Sequence, residues 1–129
     1  MHPNEQVVRS ALDALARGDW HPYHDLLADD VVYHAPGRNL LSGDHRGKRQ
    51  VEAMFDLSEQ LAGGTFKAEV HDVLANEDHV VVMSIARAER EGKLPLEDRR
   101  VLVFHMRDGK VSEIWWHPGD QHRIDDFWS

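Results

Sequence analysis

The sequence predicts an α+β domain in which helices come first and an antiparallel sheet follows. Three observations carry that reading. Apolar residues recur at helical spacing in the segments up to Ala62, and from Thr65 onward the period changes to two. The period-two segments are joined by very short turns, which make neighbouring strands run antiparallel. With 129 residues the chain is expected to form one domain, 1–129, around a single core.

Asn4 is the expected cap of a first helix, because Val7, Val8, Ala11, Leu12 and Leu15 then follow at helical spacing as far as Gly18, a natural stop. Asp19 can cap a second, short helix carrying Trp20, Tyr23, Leu26 and Leu27, with Pro22 tolerated in its first turn. Val31 to Ala35 reads as a strand ended by Pro36 and Gly37. A third helix fits Lys48 to Ala62, with Val51, Met54, Phe55 and Leu61 on one face and Gly63-Gly64 ending it. Strands are expected near 65–75, 79–90, 96–107 and 110–117, turning at Asn76 to Asp78, at Glu91-Gly92-Lys93 and at Asp108-Gly109, the strongest hairpin signal of the chain. Ile124, Phe127 and Trp128 have the spacing of a short closing helix.

Composition excludes several classes. A net charge of −8, with basic residues interspersed among acids, argues against nucleic acid as a partner. The basic run from Arg46 to Arg49 is short enough to be a solvated helix start. No apolar run approaches the roughly 18 residues of a membrane span, and the segment around Glu5 has no apolar core of a signal peptide, so a cytoplasmic location is expected. Without cysteine there is no disulfide framework, thiolate chemistry or cysteine-based zinc site. Val80 to Ile85 and Val101 to Met106 are apolar on both strand faces, although a half-solvated antiparallel sheet would alternate. A second copy of the sheet is the expected cover, giving a homodimer.

The order of elements, the block Leu27-Ala28-Asp29-Asp30-Val31-Val32-Tyr33-His34-Ala35-Pro36-Gly37, and the ending from Gly109-Lys110-Val111 through Gly119-Asp120-Gln121 to Phe127-Trp128-Ser129 resemble the nuclear transport factor 2-like superfamily. Within it the chain is most similar to the SnoaL-like branch, which contains polyketide cyclases and relatives of ketosteroid isomerase. The resemblance covers essentially the whole chain. It implies a cone-shaped, strongly curved, mostly antiparallel sheet wrapped around three N-terminal helices, with a short C-terminal helix and a deep apolar pocket. It also implies dimerisation through the sheet. The fold hosts enzymes and binding modules alike, so it does not decide the reaction.

Three chemistries can be weighed against that resemblance. Ketosteroid isomerases need an aspartate base, a tyrosine and a protonated aspartic acid. The matching positions here are Ala35, Ala11 and Leu102, which can neither move a proton nor stabilise an oxyanion, so that reaction is rejected. Limonene-epoxide-hydrolase-like chemistry finds Tyr33 and Asp120 but meets Ala35 where an asparagine belongs, and Arg87-Ala88-Glu89 as its only comparable charged pair. SnoaL-type cyclases use an aspartate after the last strand and a histidine on the strand before it, and Asp120 and His105 fall at or within one residue of those positions. A carboxylate in an apolar cleft would be a usable base near neutral pH. Asp120 is equally placed to cap the closing helix, and His105, alternating with Val101 and Val103, is equally placed on the outer face of the sheet.

Ten histidines raise the question of a metal. His21 and His24 share a helix face, and His34, His71, His105 and His117 lie on strands, but no zincin-type spacing is present, so no metal or other cofactor is expected. Asp120 with His117 or His34 would be the nearest approach to a ligand set. A pocket for a small hydrophobic molecule is better marked. Trp20, Tyr23, Tyr33, Phe55 and Trp116 could wall one cavity, with core packing as the alternative for each. Strand parity sets Trp116 beside Ile114 and sets Trp115 with Glu113 and His117, at the dimer face or the rim. The loop Pro36 to Gly47 is a candidate flap. Two function classes follow: an acid/base enzyme cyclising, isomerising or hydrating an apolar carbonyl compound, or a non-catalytic binder of a hydrophobic ligand.

Overall fold

The computed structural model describes residues 1–129 as four helices and one open six-stranded sheet. Helix α1 (Pro3–Ala16) buries Val8, Ala11 and Ala14, a three-residue repeat along one face. Its cap is His2, whose Nδ1 accepts from the Asn4 amide at 3.1 Å. The Asn4 side chain is used differently from the expected cap: it donates to the carbonyls of Asn76 and Glu77 at 3.0 and 3.1 Å, tying the helix start to a turn of the sheet. Helix α2 (His21–Leu26) follows, and Asp19 accepts from the His21 amide at 3.2 Å.

Strand β1 (Leu27–Ala35) leaves α2 without a loop and is longer than the apolar run alone predicts. Strand β2 (Gly43–Arg46) lies inside the segment expected to be a flap. It pairs antiparallel with β1, Tyr33 opposite His45 and Ala35 opposite Gly43. The rest of that segment is tied down as well. Leu41 is buried in the core, the Leu40 amide donates to the Trp128 carbonyl at 3.0 Å, and the Arg38 amide and Asn39 side chain both donate to Asp125 at 2.9 Å. Too short and too polar to carry a strand signal, β2 is fixed by its partner.

Helix α3 (Gly47–Leu61) buries Val51 and Met54 and ends at Gly63 and Gly64, both at positive φ. The meander β3 (Lys67–Ala75), β4 (His79–Ala88), β5 (Leu96–Arg107) and β6 (Lys110–His117) matches the period-two segments. Asp108 at φ 51° and Gly109 at φ 76° make the two-residue left-handed turn that suits a twisted hairpin. Helix α4 (Gln121–Phe127) closes the chain.

The strand order is β2-β1-β6-β5-β4-β3, antiparallel throughout except where β1 lies parallel to β6. Register shifts between Leu27 and Val32, between Val70 and Asp72, and between His105 and Met106 bend the sheet. On its concave side α1 packs against β3 and β4, and α3 against β1 and β2. The core on that side includes Tyr33, Val82, Leu102, Phe104, Ile114 and Trp116, and Phe127 and Trp128 pack edge to face at 4.7 Å beneath the closing helix. On the convex side Val81, Met83, Ile85, Val101, Val103 and Trp115 are half-buried.

Candidate functional site

Four of the expected aromatic wall residues meet where α2, β1 and α3 converge. Trp20 stacks on Tyr23 at 5.2 Å, one helical turn holding both rings nearly parallel. Phe55, on α3, stands edge-on to Trp20 at 5.2 Å and to Tyr33 at 5.9 Å, and inclines to Tyr23 at 5.6 Å. Such edge-to-face contacts set the positive rim of one ring against the negative face of another. Trp116 is buried on the concave face beside Ile114, as parity predicts, whereas Trp115 turns outward and stacks on His34 at 5.6 Å.

Strand β5 adds polar groups to this interior. Asp98 and Arg100 alternate with Leu96, Leu102 and Phe104 on the concave face. Asp98 is 3% exposed: its Oδ2 accepts from the Trp116 indole and its Oδ1 from the Gly119 amide, each at 3.1 Å. The Arg100 guanidinium lies 5.4 Å from the Phe66 ring centre and 5.8 Å from that of Trp116. Directly across the ladder from Arg100 is the buried Ser84. The buried atoms Trp20 Nε1, Ser84 Oγ, Arg100 Nε and Trp128 Nε1 have no hydrogen-bond partner, although buried polar groups in folded proteins are as a rule paired. Burial raises the pKa of both phenols above the ordinary 10, with Tyr33 adding to the effect on Tyr23 and Asp98 to that on Tyr33, while the charge of Arg100 opposes it in both. At neutral pH both phenols are uncharged, as an ordinary phenol is.

The sequence reading passed over Asp98, Arg100 and Ser84. Their signal was present in the spacing Leu96-x-Asp98-x-Arg100-x-Leu102-x-Phe104, two charged residues in phase with the core residues of the same strand.

Asp120 and His105 lie elsewhere. Asp120 is exposed and caps α4, its Oδ1 accepting from the Arg123 amide at 3.3 Å. His105 is on the convex face, hydrogen-bonded through Nδ1 to Ser112 Oγ at 2.8 Å and 5.2 Å from the His79 ring. Gly119, next to Asp120, packs against the Arg99 carbonyl. His105 is further along the same strand by roughly 20 Å at about 3.3 Å per residue. The two side chains do not form a dyad.

The convex face holds a charged cluster of its own. His34 contacts Asp44 Oδ1 through Nδ1 at 2.7 Å and Glu113 Oε2 through Nε2 at 2.5 Å. Burial alone would lower its pKa, but the hydrogen bonds to Glu113 and Asp44 and the charges of both outweigh it, and His34 titrates above its ordinary 6.5. A cleft of about 350 Å³ opens here, among His34, Asp44, Trp115, His117 and Gln121. A second, of about 580 Å³, lies among Asp29, Asp30, Lys48, Arg107 and Lys110. No three His, Asp or Glu side chains are arranged to hold a metal ion. No helix is long and apolar enough to cross a membrane.

Residues 8–114 match the sequence profile of the SnoaL-like domain. The chain belongs to that family. Among curated proteins, this SnoaL-like domain is 31% identical over 124 residues to the uncharacterised protein Rv0034 of Mycobacterium tuberculosis, covering 95% of this chain and 94% of the relative. Among solved structures it is similar to Bal32a from a soil-derived mobile gene cassette, with 33% identity, a TM-score of 0.92, and 98% and 97% of the two chains covered. It is also similar to a Xanthomonas campestris protein of cystatin-like fold, with 28% identity, a TM-score of 0.90, and 98% of each chain covered. The SnoaL-like fold accounts for the cone: the expected α+β architecture, with its bent sheet around the helices, is the architecture found.

Proposed function

We propose that this SnoaL-like domain binds a small hydrophobic, ring-bearing molecule inside the cone, against Trp20, Tyr23, Tyr33, Phe55 and Trp116. The observation that carries the reading is the set of buried polar atoms without a partner: Trp20 Nε1, Arg100 Nε and Trp128 Nε1, on residues that pack with or between aromatic side chains, and Ser84 Oγ, across the ladder from Arg100. Leaving such groups unpaired costs stability, and a ligand with oxygen acceptors recovers it. Mostly apolar walls with a few convergent polar groups are the usual make-up of a small-molecule site. Binding is favoured over acid/base catalysis by Asp120 with His105, because the first is engaged as an exposed helix cap and the second lies behind the sheet.

The test is a panel of aromatic ketones and aromatic acids followed by thermal shift and tryptophan fluorescence. A ligand at 100 times its Kd stabilises the folded state by about 2.7 kcal/mol through mass action, which is readily detected. The reading predicts a raised Tm for at least one ring-bearing compound, lost in Trp20→Ala. Absence of any shift across the panel at millimolar concentration would sink it.

The convex face supports a second copy of the chain as partner. Val81, Val103 and Trp115 lie in one cross-strand row, and Met83 and Val101 in the next, half-buried on a face that no helix covers. A two-fold pairing of these rows would bury them symmetrically. Sedimentation should give a dimer for the native chain and a monomer for Val103→Glu; a native monomer at micromolar concentration would refute the pairing.

A further inference from the structure

We infer that the ligand of this domain is an aromatic carboxylate, whose carboxylate seats on Arg100 and Ser84 while its ring lies among the aromatic side chains. The inference rests on the reading of the concave interior as the binding site. Its ground is the missing counter-ion of one arginine. Arg9, Arg46, Arg87, Arg99 and Arg107 each reach a carboxylate within 4 Å. Arg100 reaches none, and it differs from the other arginines without a carboxylate, Arg17, Arg38, Arg49, Arg90 and Arg123, in that its Nε is sealed from solvent with no hydrogen-bond partner.

The surroundings fit an oxyanion better than any protein group present. Asp98, two residues along the same face, is the nearest acid on its own strand, and both its oxygens are already held by Trp116 and Gly119. Phe66 and Trp116 stack near the guanidinium and orient it without neutralising it. Ser84, opposite on β4, brings a hydroxyl with no other partner. A guanidinium offers parallel N–H groups that match the two oxygens of a carboxylate, and a desolvated pair of this kind is much stronger than one in water. The planar remainder of the ligand then meets Trp20, Tyr23 and Phe55, whose rings favour offset or edge contact with another ring.

The experiment compares 2-naphthoate with 2-naphthamide, equal in shape but different in charge, by fluorescence titration and thermal shift on the full chain. Native protein is expected to bind the naphthoate at least tenfold more tightly. Arg100→Gln should abolish that preference, bringing the affinity for naphthoate down to that for the amide. Ser84→Ala should weaken the naphthoate several-fold and by more than it weakens the amide, which keeps the inference falsifiable if Arg100→Gln does not fold. Equal affinities for the two compounds, or an undiminished preference for naphthoate in either variant, would overturn the carboxylate assignment and leave the interior binding site standing. Failure of both compounds to bind native protein, with no other ring compound binding, would overturn the site together with the assignment.

Discussion

The Trp116 indole donates to Asp98 Oδ2 at 3.1 Å, joining β6 to β5 through two buried side chains in addition to the backbone ladder. The other oxygen of Asp98 holds the Gly119 amide just beyond the end of β6. One carboxylate thus satisfies the indole and fixes where the last strand leaves the sheet. Asp98→Ala strands the buried Trp116 indole and takes the partner from the Gly119 amide, and the cost should be roughly 2–4 kcal/mol in urea unfolding. Trp116→Phe should cost less when made in the Asp98→Ala background than alone, because the hydrogen bond can be lost only once.

Gly119 has no room for a side chain. A Cβ built there would come 2.6 Å from the Arg99 carbonyl oxygen, a backbone atom that cannot rotate away. Gly119→Ala should destabilise the fold by about 1–3 kcal/mol through that overlap, read as a lower Tm. A change within error would mean that β5 shifts freely at Arg99.

Asp120 separates a helix cap from a catalytic base by its substitutions. As the cap of α4 it should tolerate Asn, which also accepts from the Arg123 amide, with a loss of no more than about 0.5 kcal/mol. Asp120→Ala should cost about 0.5–2 kcal/mol. Ligand binding in the cone should be the same in both variants, whereas a base in contact with ligand would respond even to Asn.

The His34 cluster gives stability a pH dependence with a defined sign. His34 titrates above 6.5 in the folded state, so its contribution is complete below pH 6.5 and is lost as pH rises through the folded-state pKa. The hydrogen bond from His34 holds Asp44 below its ordinary 3.8, so that contribution is present above pH 3.8 and is lost as pH falls through the lowered value. The stability gap between native protein and His34→Gln should therefore be widest between pH 3.8 and 6.5 and should narrow toward pH 8. Urea unfolding at pH 5.5, 7 and 8 checks this, and a gap that widens with pH would contradict the arrangement.

Most of the architecture was legible because it is written in periodicity. The change from helical to alternating spacing located the meander, Asp108-Gly109 marked the tight hairpin, and parity separated Trp116 from Trp115 correctly. Strand β2 was not legible, since Gly43-Asp44-His45-Arg46 has no apolar alternation and is a strand only through its pairing with β1. The aromatic members of the interior could be named from their elements. Arg100 and Asp98 could not be weighed as readily, because a charged residue in phase with core positions becomes informative only when its partners, or their absence, are known.

The parallel contact of β1 with β6 sets Tyr33 beside Ile114, about eighty residues later in the chain. During synthesis β1 and the aromatic cluster it carries therefore emerge long before the strand that flanks them. Until Lys110 to His117 is made, the early half has only the short β2 beside β1, and Tyr33 has no neighbour on its other edge. The concave side around Tyr33 is therefore complete only once Lys110 to His117 pairs with β1. A fragment stopping before Lys110 should lack the part of the concave core that Ile114 and Trp116 supply.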